Sequence, residues 1–284
     1  MRKKVLLCGG TGMLGSTLYK ELKSRYETRV HGNQKSSHCS ADLTSFEQVE
    51  LLLNEENPDI IINLVALTNV DECQSNLNLA YSLNVKVPQN LASWARKNNR
   101  KLIQISTDHI YNKKESLEQE VEIVNNYALT KLAGEAPVLA IGGVVLRTNF
   151  FGKSGVAGRE SFSDWLISSF NCKVPIKLFS DVYFNPLSMK TLSESISIVL
   201  DNIVPGVYNV GSRDGTSKDI FARMIAKEAG LDHCFAKSTK FASMDLKAPR
   251  PLDMRMDVSK FENTYGVELP TLESEIKKVI INEL

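Results

Sequence analysis

The chain predicts an α/β fold: a doubly wound parallel (Rossmann) sheet followed by a smaller α/β domain. Three observations carry that expectation. Short apolar runs alternate with segments of helical period from residue 5 to residue 148, the order that gives a parallel sheet covered by helices. "DIIINLVAL" (59–67) is almost wholly apolar, as a strand buried on both faces must be. "CGGTGMLG" (8–15) places glycines directly between the first apolar run and the first helical segment.

In chain order, "VLLC" (5–8) reads as the first strand and Met13 to Ser24 as an amphipathic helix. "TRVHG" (28–32) is the second strand and "SFEQVELLLNEEN" (45–57) the second helix. After strand 59–67 come one long helix from Leu77 to Lys97, a strand at "KLIQIST" (101–107), a helix over 126–140 and a strand at "GVVLRT" (143–148). The rhythm changes after Phe150. "FGKSGVAGRE" (151–160) reads as a loop, followed by helix 161–170, a strand in "VPIKLFSD" (174–181), helix 188–202 and a buried strand at "GVYNVG" (206–211). "TSKDIFARMIAKEAG" (216–230) reads as a helix opened by Thr216-x-x-Asp219, like a capping box, and closed by Gly230. An irregular, basic stretch then leads to a last helix over 271–283. The expected division is a dinucleotide-binding domain over 1–149, rejoined by a strand and helix near 182–211, and a mainly substrate-binding domain over 150–284.

At 284 residues the chain buries a large core without staples. Its 43% hydrophobic and 24% charged residues are those of a globular protein, and a net charge of +1 gives no electrostatic case for nucleic acid or an anionic membrane as partner. The five cysteines, at 8, 39, 73, 172 and 234, include no C-x-x-C pair. That argues for reduced thiols, against a disulfide framework and against zinc. The apolar run behind the basic start ends at Cys8, short of the roughly 7–15 residues of a signal peptide. No run approaches the roughly 18 apolar residues of a membrane span. A cytoplasmic location is expected.

The glycine stretch reads as Gly10-x-Gly12-x-x-Gly15 or Gly9-x-x-Gly12-x-x-Gly15. Either way, glycines allow a tight turn and close approach of backbone to a pyrophosphate, which meets the free N–H groups of a helix start. An NAD site would place an acidic residue about 20 residues further on. "RVHGNQKSSH" (29–38) has none and offers Arg29, His31, Lys35 and His38 instead, which favours NADPH, with NADH as second choice.

"NNYALTKLAGE" (125–135) places Tyr127 four residues before Lys131, on one helix face. A nearby ammonium favours the phenolate, so this tyrosine could donate a proton to a carbonyl as hydride arrives. By spacing alone the pair fits the wet side of a helix equally well. "QISTDHIY" (104–111) adds Ser106 and Thr107 at the carboxyl end of a buried strand, where ligand chemistry occurs in such sheets and a hydroxyl can bond a substrate oxygen.

Together these stretches resemble the extended short-chain dehydrogenase/reductases, and more narrowly the dTDP-4-dehydrorhamnose reductase family. "ADLTSFEQVE" (41–50), "NPDIIINLVALTNVDECQSN" (57–76), "AYSLNVKVPQNLA" (80–92), "VVLRTNFFG" (144–152), "YFNPLSMKTLSESI" (183–196) and "APRPLDMRMDVSKFENTYG" (248–266) support the narrower likeness. The resemblance implies a triad of Thr107, Tyr127 as general acid and Lys131 as its electrostatic partner and nicotinamide-ribose ligand. It implies cofactor contacts from Gly9, Gly10, Gly12, Met13, Leu14 and Gly15, from Asp42 and Leu43 beside the adenine, and from Ala66 and Thr68 near the pyrophosphate and ribose. His31 joins that set from the charge argument above. Asn84 would lie near the active site. Thr107, Asp108, Asn149, Phe150 and Arg250 would touch the substrate, with Arg250 holding a diphosphate.

The implied reaction is reduction of the 4-keto group of a nucleotide-activated deoxysugar, in dTDP-rhamnose and cell-surface polysaccharide biosynthesis; no residue is assigned as a metal ligand, whether a metal assists is left open, and a homodimer is one assembly open to the chain. Two alternatives stand beside it: a nucleotide-sugar epimerase, and a non-catalytic NADP-binding regulatory subunit like that of methionine adenosyltransferase. The chain departs from the family in having His109 where Tyr is common, "NKKESLEQE" (112–120) in place of an Asp-Gly turn, and no tryptophan after Arg147-Thr148. These changes fall where the substrate is expected to touch.

Overall fold

The computed structural model describes residues 2–32, 37–244 and 246–283, without the side chains of 282 and 283. In chain order the first half runs β1 (Lys4–Cys8), α1 (Met13–Leu22), β2 (Glu27–His31), α2 (Phe46–Glu56), β3 (Ile60–Asn63), α3 (Val70–Ser75), α4 (Leu77–Tyr81), a π-helical turn over Ser82–Lys86, α5 (Val87–Lys97), β4 (Lys101–Thr107), α6 (Asn126–Leu139) and β5 (Val144–Thr148). There follow β6 (Phe150–Phe151), α7 (Phe162–Asn171), β7 (Ile176–Phe179), β8 (Tyr183–Phe184), β9 (Leu187–Ser188), α8 (Met189–Asp201), β10 (Gly206–Val210), β11 (Thr216–Ser217), α9 (Lys218–Glu228), β12 (Ala236–Thr239), α10 (Ser259–Tyr265) and α11 (Leu272–Glu283).

Six strands form one sheet in the order β10-β5-β4-β3-β1-β2. Its β1–β2, β1–β3 and β3–β4 pairings are parallel, which makes it the expected Rossmann-type sheet. The chain departs from β1 in both directions, toward β2 and toward β3, and ligands of such sheets bind beyond the carboxyl ends at that reversal. Val5, Leu6, Leu7, Ile61 and Ile62 are fully buried, as strands covered on both faces require.

By compactness the chain forms two units: residues 1–107, 125–147 and 193–208, and residues 108–124, 148–192 and 209–284. Segment 108–124 groups with the second because Ser116 exchanges backbone bonds there, accepting from Asp257 and donating to Arg255, both at 3.0 Å. The second unit has its own apolar core, in which Phe151, Phe170, Phe184, Phe221, Leu166 and Ile276 are buried.

The structure corrects several sequence expectations. The strand expected over 59–67 ends at Asn63, whose side chain accepts from the Val65 amide at 3.1 Å and turns the chain out of the sheet. The long helix expected over 77–97 is interrupted by the π turn. Pro88 has no N–H to offer the Asn84 carbonyl, and α6 crosses so close that a Cβ on Gly134 would sit 2.0 Å from that oxygen. Helix α9 starts at Lys218 rather than Thr216. Ser217 accepts from the Ile220 amide at 3.2 Å as its cap, and Thr216 and Ser217 are used to pair with β8. Helix α10 and strand β12 lie in the stretch expected to be irregular.

Candidate active site

The glycine turn carries β1 into α1. Gly9 has φ +78°, a left-handed conformation that suits glycine, and a Cβ on Gly15 would lie 2.6 Å from Gly10 Cα, so the helix packs directly on the turn. Met13 and Leu14 open α1, which has neither a side-chain cap nor an acidic residue in its first turn. By contrast α2, α3, α6, α7 and α9 are capped by Ser45, Asn69, Asn125, Ser161 and Ser217. Helix α1 therefore presents unsatisfied N–H groups and positive dipole behind a glycine turn, and a pyrophosphate fits those groups.

The residues after β2 are arranged differently from the sequence expectation. His31 is 5% exposed, its Nε2 lies 3.0 Å from the Ala41 carbonyl oxygen, and burial lowers its pKa, so it stays neutral rather than serving as a cation. Arg29 is held by Glu56 through two bonds of 3.0 and 2.9 Å. The His38 Nδ1 accepts from the Val30 amide at 2.9 Å. Lys35 lies outside the described residues. Asp42 is exposed, and its Oδ1 accepts from the Thr44 amide and hydroxyl, which lowers its pKa. The Leu43 side chain is buried in the core, while its carbonyl accepts from Asn90 at 3.0 Å. Ala66 and Thr68 lie on the segment that leaves β3, the first half-buried and the second exposed.

Thr107 is the last residue of β4 and is 3% exposed; Tyr127 and Lys131, one turn apart on α6, are 8% and 5% exposed. The pair is thus on the dry face of its helix, not the wet one. The Lys131 ammonium donates to the Ile105 carbonyl at 2.7 Å, an oxygen that also accepts from Gln104 Nε2 at 3.0 Å. Gln104 in turn accepts from Asn63 at 2.8 Å, so a buried amide chain crosses from β3 through β4 to α6. Burial lowers the Lys131 pKa to about 8, against the pull of Glu135 and Cys73. The Cys73 thiol, packed with Tyr127, is pushed up to about 11 by burial.

Ser106 does not offer its hydroxyl to a substrate: it donates to Glu135 at 2.5 Å. Asn84 is equally committed. Its Oδ1 accepts from the Leu67 amide at 2.8 Å, and its Nδ2 donates to the Leu67 carbonyl at 3.2 Å and the Thr130 hydroxyl at 3.1 Å. It fastens the segment after β3 to α6, one residue from Lys131. Asn63, Gln104, Glu135 and Arg147 escaped the sequence reading. Their only signal was polarity inside otherwise apolar strands or on a helix face shared with Lys131.

In the second unit Asp108 is 1% exposed and accepts from Asn149 Nδ2 at 2.8 Å. Phe150 pairs with Leu187 in the short β6–β9 ladder. Arg250 donates to the Ala248 carbonyl at 2.7 Å and acts electrostatically on His109 and Lys218. Among the described residues there is no cluster of three or more potential metal ligands and no helix long and apolar enough to cross a membrane.

A family model described as "RmlD substrate binding domain" matches residues 2–284. A probable low-salt glycan biosynthesis reductase of Haloferax volcanii, Agl14, is 28% identical over 94% of this chain and 94% of its own. The dTDP-4-dehydrorhamnose reductase of Mycolicibacterium smegmatis is 31% identical over 88% of this chain and 77% of its own. Among solved structures, the dTDP-4-dehydrorhamnose reductase of Bacillus anthracis in complex with NADP superposes with a TM-score of 0.90, at 24% identity and 99% coverage of both chains.

Proposed function

The chain belongs to the RmlD substrate-binding-domain family of dTDP-4-dehydrorhamnose reductases, and from that premise we propose that it is an NADPH-dependent oxidoreductase that reduces the 4-keto group of a nucleotide-activated deoxysugar. The burial of Tyr127 and Lys131 on one face of α6 is the observation that carries this reading. Burying a lysine charge is costly, which favours a functional over a merely structural role for this face.

The first unit is the dinucleotide domain. The amides at the start of α1 hold the pyrophosphate, those of Gly9, Gly10 and Gly12 being bonded within the turn, and the segment after β3, with Ala66 and Thr68, lies along the cofactor. NADPH supplies a hydride when bound. Lys131 uses one donor on Ile105, and its remaining donors hold ribose hydroxyls while its charge favours ionisation of Tyr127. Tyr127 gives its proton to the substrate oxygen, and Thr107 bonds that same oxygen as charge develops. Preference for NADPH is supported by the lack of an acidic residue in 29–38 and not by His31, which is neutral and buried. The second unit, through Asp108, Asn149, Phe150 and Arg250, reads the nucleotide sugar. A cytoplasmic role in supplying sugars for surface glycans belongs to this reading, in line with the glycan biosynthesis reductase of Haloferax volcanii among the relatives.

The test is spectrophotometric. The protein is mixed with NADPH and a panel of 4-keto nucleotide sugars, and loss of reduced-cofactor absorbance is followed. Turnover is expected with at least one, and Tyr127→Phe should lose at least about a hundredfold in rate while still binding NADPH. Binding without turnover on any sugar would instead support a regulatory subunit, and near-normal turnover by Y127F would remove the acid role.

A further inference from the structure

Below the Tyr127–Lys131 pair lies a charged cluster that this reading does not use. Glu135 follows Lys131 by four residues, so the two share one face of α6. Its carboxylate is gripped from β5 by Arg147, whose Nε donates to both oxygens at 3.0 and 3.2 Å and whose second nitrogen donates to Oε2 at 2.6 Å. Ser106, from β4, supplies the remaining bond. Glu135, Arg147, Ser106 and Lys131 are 1%, 3%, 5% and 5% exposed. Consecutive β4 residues therefore reach α6 in two ways: Ile105 accepts from Lys131, and Ser106 donates to Glu135.

We propose that Glu135 is the positioning residue for Lys131: clamped by Ser106 and Arg147, its carboxylate is the buried counter-charge of that ammonium and locks the turn that carries it onto the end of β4. The inference rests on the role given above to Lys131. A fold needs no ion pair here, since a buried pair is seldom better than an apolar pair of the same volume. A counter-charge has no apolar substitute. Without it, two cations, Lys131 and Arg147, would share a dry interior. The electrostatics agree: burial lowers the Lys131 pKa, and Glu135 is the larger of the two groups that raise it again.

The decisive variants are Glu135→Gln, which keeps the shape and removes the charge, and the double change Glu135→Leu with Arg147→Met, which replaces the pair by apolar groups and restores folding if E135Q is unstable. Two readouts are taken on the full chain. One is the Lys131 titration, by NMR of the labelled lysine side chain, with Lys131→Met to identify the signal. The other is the pH profile of NADPH-dependent reduction. E135Q should shift the Lys131 titration toward acid by about one unit, and the double variant, which also removes the Arg147 cation, should shift it the same way by less; the alkaline fall in activity should move with the titration, costing E135Q about fivefold more at pH 8 than the wild type. If the Lys131 titration in both variants superimposes on that of the wild type, Glu135 is a structural residue only and the proposal fails. A shifted titration in a protein without turnover on any sugar would uphold the pairing and overturn the reductase reading instead.

Discussion

Lys131 in the first unit is buried and Lys218 in the second half-buried, and desolvation lowers the pKa of each. Their company differs. Lys131 has a backbone oxygen at 2.7 Å and a carboxylate on the next turn that is itself held at three points. Lys218 lies over the rings of Phe162 and Phe184, 5.4 and 5.7 Å from their centroids, with Asp108 favouring its charge and Arg250 opposing it. Oxygen ligands fix an ammonium in direction as well as in charge. An aromatic bed stabilises the charge but leaves its direction loose. The first arrangement suits a group that must act on one neighbouring phenol. The second produces a local field, and the nearby His109 registers it.

The largest expected effect of breaking the comparison comes from Lys131→Met. Turnover should fall by about a hundredfold or more if the ammonium serves Tyr127. Stability should move the other way. The folded pKa is about 8 and the ordinary value 10.5, so holding the charge costs about 3 kcal/mol. Because the unfolded chain binds the proton more tightly, that cost is present in full below pH 8 and disappears as pH rises to 10.5. Denaturant melts at pH 7 and pH 10.5 should show the variant more stable at the first and level with the wild type at the second. A variant less stable at both would mean that the bond to Ile105 outweighs the desolvation.

His109 tests the second arrangement. Burial first, then Lys218 and Arg250, lower its pKa to about 3 from 6.5. Here too the unfolded chain binds the proton more tightly, so stability is lost as pH falls below 6.5 and continues to fall toward 3. At pH 5 the loss amounts to about 2 kcal/mol. His109→Gln cannot titrate, so its stability should fall less steeply between pH 6.5 and 5 than that of the wild type. Parallel curves would show that His109 titrates normally.

How much of this was legible in the sequence depends on how local the cause is. The glycine turn, the alternating elements and the Tyr127–Lys131 spacing are read from neighbours along the chain, and the sheet appears where they predict it. The π turn is only partly local: Pro88 stands in the same stretch, but the close passage of Gly134 exists only in the fold. His31 looks basic by residue type, but type says nothing of burial, and burial decides its charge. Ser106 and Asn84 were placed near the chemistry, yet their hydroxyl and amide are spent on Glu135, Leu67 and Thr130. Arg147 and Glu135 are twelve residues apart on different elements, and only folding brings them together.

The smallest effect, and the one that sharpens the comparison most, belongs to Lys218→Met. Two contributions oppose each other at neutral pH. The variant loses the contact with Phe162 and Phe184, about 1 kcal/mol, and is relieved of a partly buried charge whose lowered pKa marks a cost of its own. Net stability at pH 7 should therefore change by less than about 1 kcal/mol. The informative readout is the His109 ring, followed by NMR as pH is lowered. Removing one of the two cations acting on it should raise its pKa. Because burial is the first cause and Arg250 remains, the value should stay well below 6.5. A rise all the way to 6.5 would show that Lys218, not burial, sets the histidine. No rise at all would show that the aromatic bed, by leaving the ammonium undirected, lets it act on nothing in particular.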